Sequence, residues 1–214
     1  MSLDARTRRT VSVLAACAVA VLAIGILVGV TRSDGTADNG GPGVALAEPL
    51  PMPDAVLTNT DGTPYDLRTG TAGKATLLYF GYTHCPDACP IQLKVLADVM
   101  KTLQPEVRDR LDVVFVTTDP VRDTPEVMRA YLDQFDATFI GLTGTDAELA
   151  DLQIAAGLPV AVAEPLDENG GYLIGHATQV LAFGPDGICN EVFPLGVRES
   201  DWAKALPALV GVSG

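Results

Sequence analysis

The sequence predicts a layered α/β domain that follows a single N-terminal transmembrane helix. Three observations indicate this fold class. Residues 11–30 form an apolar run without a charge, segments with strand and helix periodicity alternate from about residue 54, and Gly184-Pro-Asp-Gly187 gives a clear hairpin signal near the end. A chain of 214 residues is long enough for one such domain with a full hydrophobic core.

The apolar run at residues 11–30 has the length needed to cross the hydrocarbon core of a bilayer. Three arginines in residues 1–10 precede the run and only Arg32 follows it closely, which predicts a cytoplasmic N-terminus. A cleaved signal peptide or a lipoprotein signal at Cys17 is the alternative, and the length of the run disfavours both. We therefore expect a single-pass protein of the cell membrane with an extracytoplasmic C-terminal domain.

The composition predicts a linker and limits the kinds of partner that the protein can bind. Residues 31–53 are rich in Gly, Pro, Asp and Ala and lack an apolar period, which predicts a flexible linker ahead of a domain at residues 54–214. The chain has 14 basic and 27 acidic residues, a net charge of −13 at pH 7. This charge excludes nucleic acid and anionic lipid head groups as partners bound through electrostatic attraction.

The first half of the domain shows strands and helices in alternation. Strands at residues 55–57 and 65–67 flank Asp61-Gly62, a hairpin signal, and a third strand at residues 75–80 leads into a helix at residues 90–103. A strand at residues 113–117 and a helix at about 125–135 follow. Asp123 is the predicted cap of this second helix, and Pro125 suits its first position.

The second half continues the alternation. The sequence predicts a short strand at residues 139–142, a helix at 146–156, a loop or hairpin region at 157–176, paired strands at 179–183 and 188–193, and a closing helix at 200–210. Such an order predicts helices on both faces of the sheet. Because two cysteines lie at a strand-to-helix turn, a thioredoxin-like fold is the specific candidate.

The segment Gly81-Tyr-Thr-His-Cys-Pro-Asp-Ala-Cys-Pro90 is the most informative part of the chain. If residues 85–89 begin the helix, the Cα atoms of Cys85 and Cys89 lie ~6 Å apart with both sulfurs on one face. A disulfide tolerates this separation, so the pair can close on itself or hold a soft metal ion. The positive end of the helix favours the thiolate form that binds metal.

A third ligand is needed for a metal site, and the chain has two histidines. His84 adjoins Cys85, and we expect it to pack in the loop rather than share an ion with its neighbour. His176 precedes a strand that lies beside the cysteine loop in thioredoxin-like domains, so it is the candidate third ligand. Two thiolates and one imidazole suit copper, whereas a structural zinc site usually takes four ligands.

A membrane-tethered thiol–disulfide oxidoreductase is the main alternative, and a peroxidase of the peroxiredoxin kind and a copper or redox sensor are others. Two features count against the oxidoreductase. Its usual motif has two residues between the cysteines, whereas this chain has three. Thioredoxin-like oxidoreductases also place a cis-proline before the strand that faces the cysteines, and residues 176–183 contain no proline.

The chain resembles the Sco/SenC family of copper-delivery proteins. The matching segments are Gly81 to Pro90, Asp119-Pro-Val-Arg-Asp-Thr-Pro125, Phe139-Ile-Gly-Leu-Thr-Gly144 and Gly175-His176. The resemblance implies a membrane-anchored thioredoxin-like domain that binds Cu(I) or Cu(II) through Cys85, Cys89 and His176. It also implies a task in assembling the dinuclear copper centre of cytochrome c oxidase. The implied partners are the copper-binding subunit of the oxidase and a thiol reductant or upstream copper donor.

The resemblance favours a metallochaperone over an enzyme and leaves reduction of acceptor thiols open as an added activity. Oxidation of Cys85 and Cys89 to a disulfide would release the ion. Asp119 ends a strand near the cysteines, so it is a candidate for hydrogen bonding around the site or for contact with a partner. Cys189, on the last hairpin, is expected to pack as a small apolar residue.

Overall fold

The computed structural model describes residues 42–165 and 171–211. The predicted cytoplasmic N-terminus at residues 1–10, the predicted transmembrane anchor at 11–30 and residues 31–41 of the predicted linker lie outside these ranges. Among the described residues, none of the helices combines the length and the apolar character that a membrane span requires.

The elements alternate much as the sequence predicts. The strands are β1 (Val44–Pro51), β2 (Val56–Asn59), β3 (Pro64–Asp66), β4 (Ala75–Gly81), β5 (Leu111–Thr117), β6 (Ile140–Thr143), β7 (Val162–Pro165), β8 (Tyr172–Gly175), β9 (Val180–Phe183) and β10 (Ile188–Phe193). The helices are α1 (Leu67–Gly70), α2 (Ala88–Thr102), α3 (Pro105–Arg108), α4 (Pro125–Leu132), α5 (Asp146–Ala155) and α6 (Glu199–Leu209). The loop or hairpin region predicted before β9 contains the hairpin β7–β8.

Within the described ranges, eight strands form one mixed sheet in the order β1-β10-β9-β4-β5-β6-β2-β3, and β7–β8 is a separate two-stranded sheet. Strands β4, β5 and β6 are parallel neighbours, and each connection between them contains a helix, as parallel pairing requires. Strand β9 pairs antiparallel with β4 and with β10. The predicted layered α/β class and the predicted final hairpin are therefore confirmed.

The central strand β4 is buried along its whole length and separates two hydrophobic clusters. Because alternate side chains of a strand point to opposite faces, Leu77 and Tyr79 join one cluster, while Leu78 and Phe80 join the other. Helices α2, α4 and α6 supply apolar residues to the first cluster, and α1 and α5 supply them to the second. The predicted packing of helices on both sheet faces is confirmed.

The predicted linker at residues 31–53 overlaps β1, so the segment from Val44 onward is not a tether. Strand β1 pairs antiparallel with β10, with Val44 opposite Val192 and Leu50 opposite Cys189. Its residues are exposed or half-buried because it lies at the edge of the sheet. An edge strand needs only backbone groups for pairing, so it can form without the apolar alternation by which strands are predicted.

The helix α4 begins at Pro125, as predicted, but its cap is not the predicted residue. Thr124 is its N-cap, and its Oγ1 accepts a hydrogen bond from the backbone N–H of Val127 at 3.3 Å. Asp123 is fully buried and accepts hydrogen bonds from Thr83 N at 3.0 Å, Thr83 Oγ1 at 2.6 Å and Thr117 Oγ1 at 2.7 Å. The cap prediction for Asp123 was wrong because these buried donors use both oxygens of its carboxylate.

Substitutions of Asp123 and Thr124 should therefore differ in how much they lower the free energy of unfolding. We expect Asp123→Ala to destabilise the domain by about 3 kcal/mol, since it leaves buried donors without a partner. Thr124→Ala should cost only about 1 kcal/mol, the usual loss for a helix cap. Urea unfolding of the full chain in detergent, followed through the fluorescence of the buried single tryptophan Trp202, measures both. A larger loss for Thr124→Ala would contradict this description.

Candidate metal centre

The sheet topology brings the cysteine loop and the histidine segment to the same edge. Strand β4 runs into the loop that contains Cys85 and leads to Cys89 at the start of α2, and His176 lies shortly before β9. Because β4 and β9 are antiparallel neighbours, the end of one strand lies beside the start of the other, with Tyr79 opposite Val180. The neighbourhood expected from a thioredoxin-like fold is therefore present.

The helix α2 begins at Ala88, two residues before the predicted start at residue 90. Asp87 is its N-cap and accepts a hydrogen bond from Ala88 N, so Cys89 lies in the first turn and Cys85 precedes the helix. A proline disfavours helical backbone angles in the residue before it, and Cys85 directly precedes Pro86. The thiol of Cys85 nevertheless lies at the helix start, where its Sγ accepts a hydrogen bond from Cys89 N at 3.4 Å.

The imidazole of His176 points one nitrogen at the cysteines. Its Nε2 lies 3.5 Å from Cys89 Sγ, and its Nδ1 lies 2.8 Å from the carbonyl oxygen of Ala177. A carbonyl oxygen can only accept, so Nδ1 carries the proton and donates to it. The lone pair of the neutral ring is then on Nε2, which is the form that binds a metal.

The three ligand atoms converge. Cys85 Sγ, Cys89 Sγ and a ring nitrogen of His176 all lie within 4.8 Å of one another. Metal–thiolate and metal–imidazole bonds are ~2.0–2.3 Å long, so an ion between the three atoms can reach each of them with small adjustments. His84 is outside this group, half-exposed, with Nδ1 hydrogen-bonded to Thr83 Oγ1 at 2.9 Å. It packs in the loop, as the sequence predicts.

The two thiols differ in charge. The side-chain hydrogen bond with Cys89 lowers the pKa of Cys85 to about 4, and the backbone N–H groups of Cys89 and Asp87 and the His176 ring act in the same direction. The same pairing, together with burial, raises the pKa of Cys89. Two groups this close share one proton, so the free pair consists of a half-buried thiolate and a buried thiol.

Tyrosines surround the three ligand atoms, and sequence reasoning missed them. The ring of Tyr82 meets the His176 ring edge-on, with centroids 5.6 Å apart, and Tyr79 approaches it at 6.4 Å. Burial raises the pKa of Tyr79 and of Tyr131, so their phenols stay neutral. The alternation of β4 could have revealed Tyr79, whereas the position of Tyr131 depends on how α4 packs.

Asp119 is 3% exposed and both its oxygens are occupied. Arg122 Nε donates to Oδ2, and the hydroxyl of Tyr172 donates to Oδ1 at 3.0 Å. Its carboxylate therefore links Arg122 to Tyr172, and its role around the site or toward a partner stays a prediction. Cys189 is buried in the cluster on the other sheet face, where its Sγ donates to the carbonyl of Glu191 at 3.2 Å. It packs as a small apolar residue, as predicted.

Sequence comparison finds relatives that are named for copper or for Sco proteins. A putative copper-binding protein of Stutzerimonas stutzeri is 37% identical over 159 residues, which cover 74% of this chain and 76% of that protein. Protein sco1 of Schizosaccharomyces pombe is 33% identical over 135 residues, and the human mitochondrial SCO1 homolog 32% over 156. These two alignments cover 63% and 68% of this chain, respectively. In both cases the chain spans about half, 51%, of the relative's length.

Solved structures match the fold over most of the chain. The copper-bound structure of ScoI from Bradyrhizobium japonicum has a TM-score of 0.68 at 30% identity and covers 75% of this chain and 99% of that one. The solution structure of apo Sco1 from Thermus thermophilus has a TM-score of 0.71 at 29% identity and covers 79% and 97%. These matches confirm the mixed α/β, thioredoxin-like fold of the Sco proteins for the described domain.

The SCO1/SenC family model matches residues 52–211, which begin just after β1 and include every residue of the three-ligand group. The four segments singled out in the sequence all lie within this match. A match over most of the chain, joined to the same fold and to relatives above 30% identity, shows that the chain belongs to the SCO1/SenC family.

Proposed function

We propose that this protein binds one copper ion through Cys85, Cys89 and His176 and delivers it, as a membrane-anchored chaperone, to the dinuclear copper centre of cytochrome c oxidase. The observation that carries the proposal is the convergence of two sulfurs and one imidazole nitrogen within 4.8 Å. Delivery to an oxidase fits the family to which the chain belongs.

The donor set favours copper over other metals. Thiolates select soft ions such as Cu(I), and imidazole accepts both copper oxidation states. Zinc in structural sites takes four ligands, and in residues 42–165 and 171–211 no fourth His, Cys, Asp or Glu joins the group. Two similar structures, ScoI of Bradyrhizobium japonicum and yeast Sco1, have copper bound. Copper is therefore the cargo that the site fits best.

The arrangement suits capture and release of the ion. Cys85 is half-buried and deprotonated, so its thiolate can meet an incoming ion first. Cys89 gives up its proton as the ion binds, because a thiolate is the binding form. Three ligands leave the ion open on one side, where thiolates of an acceptor can replace them one at a time. Thiol–disulfide exchange with an acceptor disulfide would leave Cys85 and Cys89 as a disulfide and the acceptor as two thiols, which removes both sulfur ligands from the ion. A thiol reductant would then restore the pair.

The proposed function includes anchoring of the domain at the cell membrane. The apolar run at residues 11–30 would hold the domain in the cell membrane with its copper site outside the cytoplasm. A tether there keeps the chaperone close to a membrane-bound oxidase. The partners are then the copper-binding subunit of the oxidase as acceptor, and a thiol reductant or upstream copper donor.

A thiol–disulfide oxidoreductase is the second candidate, and one observation favours it. A low-pKa thiolate next to a buried thiol is the arrangement of a disulfide-exchange pair. The imidazole of His176 would have no part in that chemistry, although its Nε2 is 3.5 Å from Cys89 Sγ. The backbone of the described residues also contains no cis peptide bond, so the cis-proline of thioredoxin-like oxidoreductases is absent there.

Copper titration separates the two candidates. We expect the reduced full chain to retain one Cu(I) against bicinchoninate under anaerobic conditions, and His176→Ala to weaken retention at least about tenfold because one of three ligands is lost. His84→Ala is the matched control, since it removes the other histidine, and it should retain the ion normally. Equal, weak retention in the unsubstituted chain and in His176→Ala, with fast reduction of insulin disulfides, would instead support the oxidoreductase.

The pH dependence of alkylation tests the charge of the free cysteine pair. Because the pKa of Cys85 is depressed to about 4, its thiolate is present above that pH and its reaction with iodoacetamide should level off above about pH 5. Burial should keep Cys89 and Cys189 slow. Mass spectrometry of peptides from the reduced, copper-free chain gives the rates. A Cys85 rate that still rises through pH 8, as for an ordinary thiol, would contradict the assignment.

A further inference from the structure

His176 follows a hairpin that is not part of the main sheet. Strands β7 and β8 pair only with each other among the described strands, and β7 is exposed along its length. Strand β8 ends at Gly175, directly before the histidine. Strand pairing alone therefore does not fix the chain on this side of His176, and a different contact must hold it.

Burial of Ile174 in the core is one such contact, and Tyr172, the first residue of β8, makes another. Its hydroxyl donates to Asp119 Oδ1 at 3.0 Å, and its carbonyl oxygen accepts from Arg122 Nη1 at 3.2 Å. The guanidinium of Arg122 also stacks on the Tyr172 ring, 3.6 Å from its centroid. Arg122 Nε donates in turn to Asp119. We call these three residues, Asp119, Arg122 and Tyr172, the clamp.

The clamp is anchored on the main sheet. Asp119 follows β5, and its backbone N–H donates to Thr117 Oγ1 at 2.9 Å. Its carbonyl oxygen accepts from the backbone N–H groups of Arg122 and Asp123 at 3.2 and 2.9 Å. The turn that carries Arg122 is therefore rigidly connected to the strand, and Arg122 transfers that rigidity to β8.

The same guanidinium also reaches the cysteine side of the site. It lies 5.7 Å from the centroid of the Tyr82 ring, and this ring meets the His176 imidazole edge-on. Arg122 thus contacts both β8, the strand that directly precedes the histidine, and the aromatic ring that flanks it. The side chain of Arg122 is not among the three clustered ligands, so its effect on the ion is indirect.

We propose that Arg122 is a positioning residue that, through the clamp, holds His176 against the two sulfurs. Loss of the clamp frees the imidazole and leaves the cysteine pair in place, so the clamp determines whether copper has three ligands or two. This inference rests on the proposed function and names a residue that controls it.

The test uses the reduced full chain in detergent. Arg122→Lys keeps the charge and removes both the planar fork and the ring stacking. Arg129→Lys is a closely matched control, because Arg129 also donates Nε to a carboxylate, of Asp133, and Nη1 to a backbone carbonyl, of Phe139, at 2.9 and 2.8 Å. Tyr172→Phe keeps the ring and removes only the hydrogen bond to Asp119, so it provides a milder variant.

We expect Arg122→Lys to lower Cu(I) retention against bicinchoninate about tenfold, Tyr172→Phe to lower it less, and Arg129→Lys to leave it unchanged. In a His176→Ala background, Arg122→Lys should have no further effect, because the residue through which it acts is gone. In the copper-free chain, hydrogen–deuterium exchange of residues 172–176 should be at least about tenfold faster in Arg122→Lys than in Arg129→Lys.

The proposed role of Arg122 would be wrong if Arg122→Lys left hydrogen–deuterium exchange at residues 172–176 unchanged. It would also be wrong if Arg122→Lys lowered copper retention by the same factor in the presence and in the absence of His176. If His176→Ala alone does not weaken retention, the proposed ligand set fails, and the exchange measurement on the copper-free chain still decides whether the clamp holds the segment.

Discussion

The placement of one imidazole beside two sulfurs is the constraint on which the site depends. The cysteines and the histidine are separated by 87 positions between Cys89 and His176, yet the pairing of β4 with β9 brings their segments to one edge of the sheet. The hydrogen bond from His176 Nδ1 to the carbonyl of Ala177 then directs the Nε2 lone pair at the thiols. The fold thus supplies both the distance and the tautomer.

Both oxygens of each buried carboxylate near the site accept hydrogen bonds. Asp119 accepts from Arg122 and Tyr172, and Asp123 accepts from Thr83 and Thr117. A carboxylate whose oxygens are all hydrogen-bonded within the fold does not compete for an ion, which leaves a soft donor set of two sulfurs and one imidazole. The acidic character of the chain is therefore compatible with a site that selects copper over harder ions.

Features that depend on a local sequence pattern could be predicted. The alternation of β4, the Gly184-Pro-Asp-Gly187 turn and the cysteine spacing predict the central strand, the last hairpin and the pair of thiols. Features that depend on partners far away in the sequence could not be predicted. Strand β1 is defined by its backbone pairing with β10, and Asp123 bonds to Thr83, 40 positions away, in place of capping the adjacent helix. The contact of Arg122 with Tyr172 likewise spans 50 positions.

We propose that a single copper ion lies between two cysteine sulfurs and one histidine nitrogen of the same chain. X-ray absorption spectroscopy at the copper edge of the Cu(I)-loaded protein tests this arrangement, because it counts the atoms bound to the metal. We expect two sulfur scatterers and one imidazole nitrogen per copper, with the nitrogen lost in His176→Ala. A copper bound only by sulfur, or an identical spectrum in the variant, would contradict it.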